Sequence, residues 1–173
     1  MKLQDIVNKL EKAYCGNITA EFRSLISREE RNFLLNKFET EWPDYNPSNN
    51  IKMRIFDHVA WSVLFEEFLQ SKFTTAKRFG LEGLEGAISG IKAVVRRSAE
   101  LGVKSFNLGM AHRGRLSVLA NVLKKPIAQI LAEFQGNFVK EELMKSGDVK
   151  YHLGTHILRV YNDGLKVNIV NKF

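Results

Sequence analysis

A short strand candidate that leads directly into a glycine- and arginine-rich turn is the feature that most constrains the fold. Val103–Met110 alternates in polarity towards its end, and residues 112–115 read His-Arg-Gly-Arg. An apolar helical pattern precedes the strand candidate, and another follows the turn. Helix, strand, turn and helix in this order predict an α/β domain. In such domains, ligands bind beyond the carboxyl ends of the strands.

The turn has the chemistry of an anion site. The guanidinium groups of Arg113 and Arg115 offer forked donors that suit carboxylate or phosphate oxygens. His112 is able to donate a hydrogen bond to an oxo group or to transfer a proton. Gly114 permits a close backbone approach, and the start of the next helix adds further donors. On these residues alone, an anion-binding loop and a structural turn closed by salt bridges are equally good interpretations.

Two other segments place unusual residues between glycines. The segment Lys77–Gly83 reads Lys-Arg-Phe-Gly-Leu-Glu-Gly, in which Arg78 and Glu82 are candidates for a buried ion pair that fixes this loop. Phe79 is a candidate for lining a pocket, although an aromatic residue beside a turn usually packs in the core. His152 lies between Gly147 and Gly154, where a structural or exposed histidine is the simpler interpretation.

Other known site patterns do not occur in the sequence. The glycines after Gly80 do not form the Gly-x-Gly-x-x-Gly pattern of a dinucleotide site. The cysteine and histidine spacing does not suit zinc, and there is no Gly-x-Ser-x-Gly nucleophile motif. His58 and His156 are interpreted as packing or solvent-facing residues.

The flanking patterns divide the chain into a helical first half and a mixed second half. Periodic apolar residues predict a helix from Leu3, and residues 27–30 form a capping-box pattern before a second helix. The stripe from Trp61 to Leu69 predicts a helix packed in the core, and any uncovered part of it would favour association. Residues 158–170 predict a hairpin around Asn162-Asp163-Gly164. We expect the β-prone end, residues 165–173, to leave an unpaired sheet edge.

Composition excludes several classes of function. The net charge is +7, but the 26 lysines and arginines are scattered in runs no longer than two, which disfavours a nucleic-acid surface. No apolar run approaches the roughly 20 residues of a membrane span. Cys15 is the single cysteine, and the first residues do not form a signal peptide, so we expect a reducing cytosol.

The chain resembles the decarboxylating component of the 2-oxoglutarate dehydrogenase complex. The resemblance is carried in order by six segments: Leu10–Gly16, Phe65–Leu69, Lys77–Gly83, Gly109–Leu116, Asn121–Val122 and Gly147–Gly154. It implies an α/β fold that is part of a thiamine diphosphate-binding fold, preceded by an N-terminal helical segment. The implied division is residues 1–76 for the helical segment and residues 77–173 for the start of the cofactor-binding domain, which we expect to be incomplete.

The resemblance also implies roles for four residues. The histidines matching His112 and His152 act in catalysis by holding the carboxylates of the substrate. The arginine matching Arg113 contacts thiamine diphosphate and substrate, and the phenylalanine matching Phe79 lines the substrate pocket. The family's Gly-Asp-Gly turn and later asparagine, which hold magnesium against the diphosphate, do not occur in this sequence. We therefore expect no metal ligand in this chain and no activity of the chain alone.

An enzyme of this kind decarboxylates 2-oxoglutarate and transfers the succinyl group to lipoamide, a step of the tricarboxylic acid cycle. The implied partners are the dihydrolipoyl succinyltransferase component and a second copy of the chain, without nucleic acid or membrane. We expect the bacterial cytoplasm as its location, with the mitochondrial matrix second, and a link to glycolysis. The alternative hypothesis is a non-catalytic interaction module, or the remnant of a split or decayed gene.

Overall fold

The structure is a computed structural model that describes residues 2–136 and 154–171. The chain divides into two compact units between Asn49 and Asn50. The boundary predicted from the sequence lies between residues 76 and 77, where the cofactor-binding domain is expected to begin, and it stays a prediction. Within the two described ranges, no helix combines the length and the apolar character needed to cross a membrane.

The first unit consists of helices and an aromatic cluster. Helix α1 spans Leu3–Tyr14, helix α2 spans Arg28–Asn36, and a π-helical turn and a 3-10 turn continue to Asp44. The Ser27 hydroxyl accepts a hydrogen bond from the backbone N–H of Glu30 at 3.2 Å, which confirms the predicted start of α2. Neighbouring rings form the aromatic cluster of this unit: Tyr14, Phe22, Phe38, Trp42 and Tyr45.

The second unit places four helices around a small sheet. The helices are α3 (Asn49–Lys72), α4 (Gly86–Glu100), α5 (Arg115–Asn121) and α6 (Ile127–Phe134). Apolar side chains from these helices and from the sheet form one core, and its most deeply buried members are Leu69, Ile88, Leu119, Leu123, Ile130 and Ile169. Helix α5 is buried along its whole length, so the turn that precedes it is fixed to the centre of the unit.

The sheet has three strands in the order β1-β3-β2. Strand β1 (Ser105–Asn107) runs parallel to β3 (Lys166–Asn171), and β2 (Thr155–Val160) runs antiparallel to β3. Strands β2 and β3 form the predicted hairpin, whose turn is closed by the N–H of Gly164 donating to the Tyr161 carbonyl at 2.9 Å. The mixture of helices with this partly parallel sheet confirms the α/β fold class.

The structure corrects two sequence expectations about exposed surfaces. Residues 168–170 of strand β3 are paired on both sides, so the prediction that the end of the chain leaves an unpaired edge is wrong for these residues. On α3, Phe65 and Leu69 are buried as predicted, but Trp61 is 63% exposed and Leu64 is 58% exposed. The apolar stripe is wider than the face that α3 turns towards the core, so part of it meets solvent.

Candidate functional site

The two glycine-bounded loops that stood out in the sequence lie against each other. The backbone N–H of Gly114 donates a hydrogen bond to the Phe79 carbonyl at 2.7 Å. The rings of Phe79 and His112 lie 4.9 Å apart between centroids, with their planes inclined by 34°. An aromatic ring and an imidazole at this separation make a favourable tilted contact. Two segments over 30 residues apart therefore build one surface.

Arg113 joins the two loops through its guanidinium group. Its Nε and Nη2 atoms donate to the Leu81 carbonyl oxygen at 3.2 and 3.0 Å, and Nη2 also donates to the Glu82 carbonyl oxygen at 2.8 Å. His112 and Arg113 are exposed, whereas Leu81 is buried. The guanidinium is thus oriented by a fixed piece of backbone while its residue remains accessible from solvent.

Gly114 is required where the turn enters helix α5. Its φ angle is +67°, in the left-handed region that suits glycine, and it is the residue that caps the helix. A Cβ atom at this position would lie 2.1 Å from Cδ2 of Leu81. The glycine therefore serves both the backbone conformation and the close contact between the two loops.

Of the two interpretations left open for the turn, Arg115 fits the structural one. It is 3% exposed, and its Nη2 atom donates to Oδ1 of Asn171 at 3.0 Å. The Asn171 amide donates in turn to the Leu108 carbonyl oxygen, and Arg115 Nη1 donates to the Met110 carbonyl oxygen at 3.3 Å. Burial lowers the pKa of Arg115. This network ties the end of β3 to the chain that leaves β1, and sequence reasoning missed Asn171 because no local motif marks it.

The predicted ion pair between Arg78 and Glu82 is wrong. Arg78 instead donates to main-chain carbonyl oxygens, including those of Phe73 at 2.7 Å and Ala76 at 2.9 Å. Glu82 is exposed. The guanidinium group of Arg78 closes the turn after α3 because it donates to several main-chain carbonyl oxygens at once. Pairing with one carboxylate would leave those carbonyl oxygens without this donor.

Three other histidines complete the sequence predictions. His152 lies outside the described residues, so its approach to His112 stays a prediction. His58 Nδ1 lies 3.2 Å from the Ser89 hydroxyl, and its pKa is lowered by burial and by Lys92. His156 is exposed on β2. The positions of His58 and His156 agree with the packing and solvent-facing interpretations given to them.

The donors at this surface fit an anionic group and not a metal ion. The imidazole of His112 and the guanidinium of Arg113 match the carboxylate of an oxo acid or the phosphate of a cofactor. In the part of the chain that the structure describes, no three histidine, cysteine, aspartate or glutamate side chains are grouped to hold a metal. We therefore consider these residues for binding thiamine diphosphate or an oxo acid, and assign none of them to magnesium.

A second surface, which we call the α3 groove, lies elsewhere in the same unit. It is lined by the exposed apolar side chains of α3 and by three lysines: Trp61, Leu64, Phe68, Lys92, Lys124 and Lys125. Burial, with the nearby charges of Lys124 and Arg159, lowers the pKa of Lys92 to about 8. The groove thus combines apolar area with partly desolvated positive charge.

Known proteins match nearly the whole of the chain. It is 44% identical over 169 residues to the mitochondrial 2-oxoglutarate dehydrogenase of Saccharomyces cerevisiae and 43% identical to that of Schizosaccharomyces pombe. The corresponding protein of Dictyostelium discoideum is 42% identical. The chain is similar to one segment of these 2-oxoglutarate dehydrogenases. These matches cover 98, 98 and 96% of this chain but only 17% of each relative, and no family model matches the chain.

The relatives confirm the resemblance recognised in the sequence and correct the predicted location of the chain. The names of the 2-oxoglutarate dehydrogenases from the two yeasts and from Dictyostelium all state that they are mitochondrial. The prediction of a bacterial cytoplasm is therefore wrong. The single cysteine, Cys15, indicated only a reducing compartment, and this does not distinguish a bacterial cytoplasm from a mitochondrial matrix. The names give no support to the expected link with glycolysis.

Proposed function

We propose that this chain contributes part of the substrate and cofactor site of a thiamine diphosphate-dependent 2-oxoglutarate dehydrogenase of the succinyl-transferring type. The observation that carries the proposal is the contact between the Phe79 and His112 rings, 4.9 Å apart, beside the anchored Arg113. This contact brings Phe79 and His112 together next to Arg113, and the family resemblance implies a role for each of the three residues. The identity with the mitochondrial enzymes supports the reaction class.

Each residue has a defined part in this proposal. His112 donates a hydrogen bond to a carboxylate of 2-oxoglutarate, and the Phe79 ring forms the apolar wall beside it. Arg113 meets the anionic oxygens of the substrate and the cofactor. His152 holds the second carboxylate. Thiamine diphosphate, when bound, supplies the electron sink for decarboxylation, and the protein residues bind and orient the reactants.

We expect 2-oxoglutarate to bind at this surface, and His112→Ala to weaken that binding about 10-fold, because one charge-assisted hydrogen bond contributes about 1.5 kcal/mol or more. The measurement is a titration followed by the ¹H–¹⁵N NMR signals of the labelled chain. His156→Ala is the matched control, since His156 is exposed on β2, and it should leave the affinity unchanged. Equal affinity in wild type and His112→Ala would contradict the assignment, as would the absence of any shift at His112 in wild type.

The wider setting follows from the family. We propose a mitochondrial location, a place in the tricarboxylic acid cycle, and association with a dihydrolipoyl succinyltransferase component. The mitochondrial relatives at 42–44% identity support this setting. The chain corresponds to 17% of their length, so the complete reaction is proposed for the longer enzyme.

The α3 groove favours a second role in association, and we propose that this surface contacts another copy of the chain. Trp61 and Leu64 are more than half exposed, and association would remove their apolar area from water. Trp61→Glu should shift the chain towards a monomer in light scattering at a fixed concentration. The control is Glu67→Gln on the same helix, which keeps the groove intact. A wild-type chain that is monomeric at every concentration would contradict this role.

A further inference from the structure

Glu66 lies next to the proposed site without contacting its ligand-binding groups directly. It is on helix α3, and its two carboxylate oxygens lie 2.9 and 3.0 Å from the backbone nitrogen of Leu81, whose N–H donates to them. Among the described residues, no lysine, arginine or histidine lies within ion-pair distance of this carboxylate. Its closest defined partner is therefore a main-chain donor.

The peptide groups of Leu81 connect Glu66 to Arg113. The N–H of Leu81 donates to Glu66, and the carbonyl oxygen of the same residue accepts from Nε and Nη2 of Arg113. A displacement of Leu81 therefore moves the acceptor that orients the guanidinium. Glu66 and Arg113 are 47 positions apart, and one buried residue links them.

The loop that carries Leu81 depends on such external bonds. Phe79 and Glu82, which flank the segment around Leu81, have φ angles of 47° and 31°. Residues other than glycine rarely adopt φ angles in this region. Backbone in this region persists when the surrounding structure holds it in place. That restraint is supplied by two hydrogen-bonded partners of Leu81: Glu66 accepts from its N–H, and Arg113 donates to its carbonyl oxygen.

The ionised form of Glu66 is costly at this position. Burial raises the pKa of its carboxyl group, the hydrogen bond from Leu81 opposes this effect, and the charges of Glu82 and Glu85 add to it. A Cβ on Gly80 would lie 2.7 Å from Oε2 of Glu66 and 2.6 Å from Oε1 of Glu82, so two carboxylates approach this glycine. A neutral acceptor would hold Leu81 without that electrostatic penalty.

We propose that Glu66 is a positioning residue, which sets the direction of the Arg113 guanidinium through the Leu81 peptide groups and thereby tunes the affinity for an anionic substrate. The inference rests on the proposed function for its substrate, 2-oxoglutarate, and on the hydrogen bonds for its mechanism. Glu66 remains distinct from residues that touch the substrate.

The test compares Glu66→Met with Glu66→Gln in the labelled chain. Methionine keeps the length of the side chain but removes the strong acceptor, so the Arg113 Nε–H signal should shift, the Leu81 amide should lose protection from hydrogen exchange, and 2-oxoglutarate should bind about 10-fold more weakly. The amide oxygen of glutamine still accepts from Leu81, so Glu66→Gln should retain most of the affinity. Glu67→Gln, at the exposed neighbouring position, should change none of these quantities.

The outcomes separate the two proposals. A wild-type chain that does not bind 2-oxoglutarate removes the proposed function, while the Arg113 and Leu81 signals still test the positioning role. Wild-type binding that is equally tight in Glu66→Met, with an unshifted Arg113 signal, overturns the inference.

A pH titration of the wild-type chain tests the positioning role of Glu66 even if Glu66→Met does not fold. The Leu81 amide and the Arg113 Nε–H should then titrate with the midpoint of the Glu66 carboxyl signal. The carboxyl signals of Glu82 and Glu85 are recorded separately in the same experiment. Signals of Leu81 and Arg113 that follow either of these groups and not Glu66 overturn the inference.

Discussion

Gly114→Ala is expected to lower the free energy of unfolding by about 3 kcal/mol. A left-handed conformation costs a residue with a Cβ atom about 1–2 kcal/mol, and overpacking a filled contact costs about 1–3 kcal/mol more. Both costs apply here, because φ is +67° and the new Cβ would lie 2.1 Å from Cδ2 of Leu81. Urea unfolding followed by circular dichroism measures the loss.

Two other glycines separate the backbone cost from the packing cost. Gly83 has φ +90°, and a Cβ added there would have no neighbouring atom within 4 Å, so Gly83→Ala should lose only about 1 kcal/mol. Gly90 lies inside helix α4 with equally open space, so Gly90→Ala should gain about 0.5–1 kcal/mol. If Gly114→Ala loses no more than Gly83→Ala, then Leu81 moves aside, and the two loops are not held as closely as we describe.

The sequence predicted local elements well because their determinants are local. The apolar period of α4, the Ser27 cap of α2 and the turn at Asn162-Asp163-Gly164 each lie within a few neighbouring residues. The width of the apolar stripe on α3 did not reveal which part meets the core. That depends on how α3 packs on the other elements, and periodicity alone carries no such information.

The candidate site was identified by family resemblance and assembled by contacts between distant residues. Arg113 and its acceptor Leu81 are 32 positions apart, and Arg115 and Asn171 are 56 apart. Spacing in the sequence gave no reason to connect either pair. It left Arg115 open between an anion donor and a structural residue, and burial makes it structural. Phe79 and His112 were chosen separately, and the structure brings their rings together.

Lys125 and Glu133 form a buried ion pair, and removing one partner should cost more stability than breaking any surface pair in the described residues. Their side chains are 1% and 5% exposed, and Lys125 Nζ lies 2.6 Å from Oε1 of Glu133. Removing one partner leaves the other charge in a poorly solvated place, so Glu133→Ala should lower the free energy of unfolding by about 3–5 kcal/mol. The exposed pair of Arg97 and Glu100 is the control, and Arg97→Ala should lose less than about 1 kcal/mol.

The double variant Lys125→Met/Glu133→Leu decides whether charge or packing causes that loss. It removes both charges and fills the site with apolar side chains of similar volume, so it should recover most of the stability that Glu133→Ala loses. Urea unfolding of Lys125→Met, Glu133→Leu and the double variant gives the coupling energy of the pair. If the double variant is as unstable as Glu133→Ala, the stability depends on the shape of these two side chains and not on their charges. If Glu133→Ala loses no more than Arg97→Ala, water reaches Lys125, and the pair acts like one on the surface.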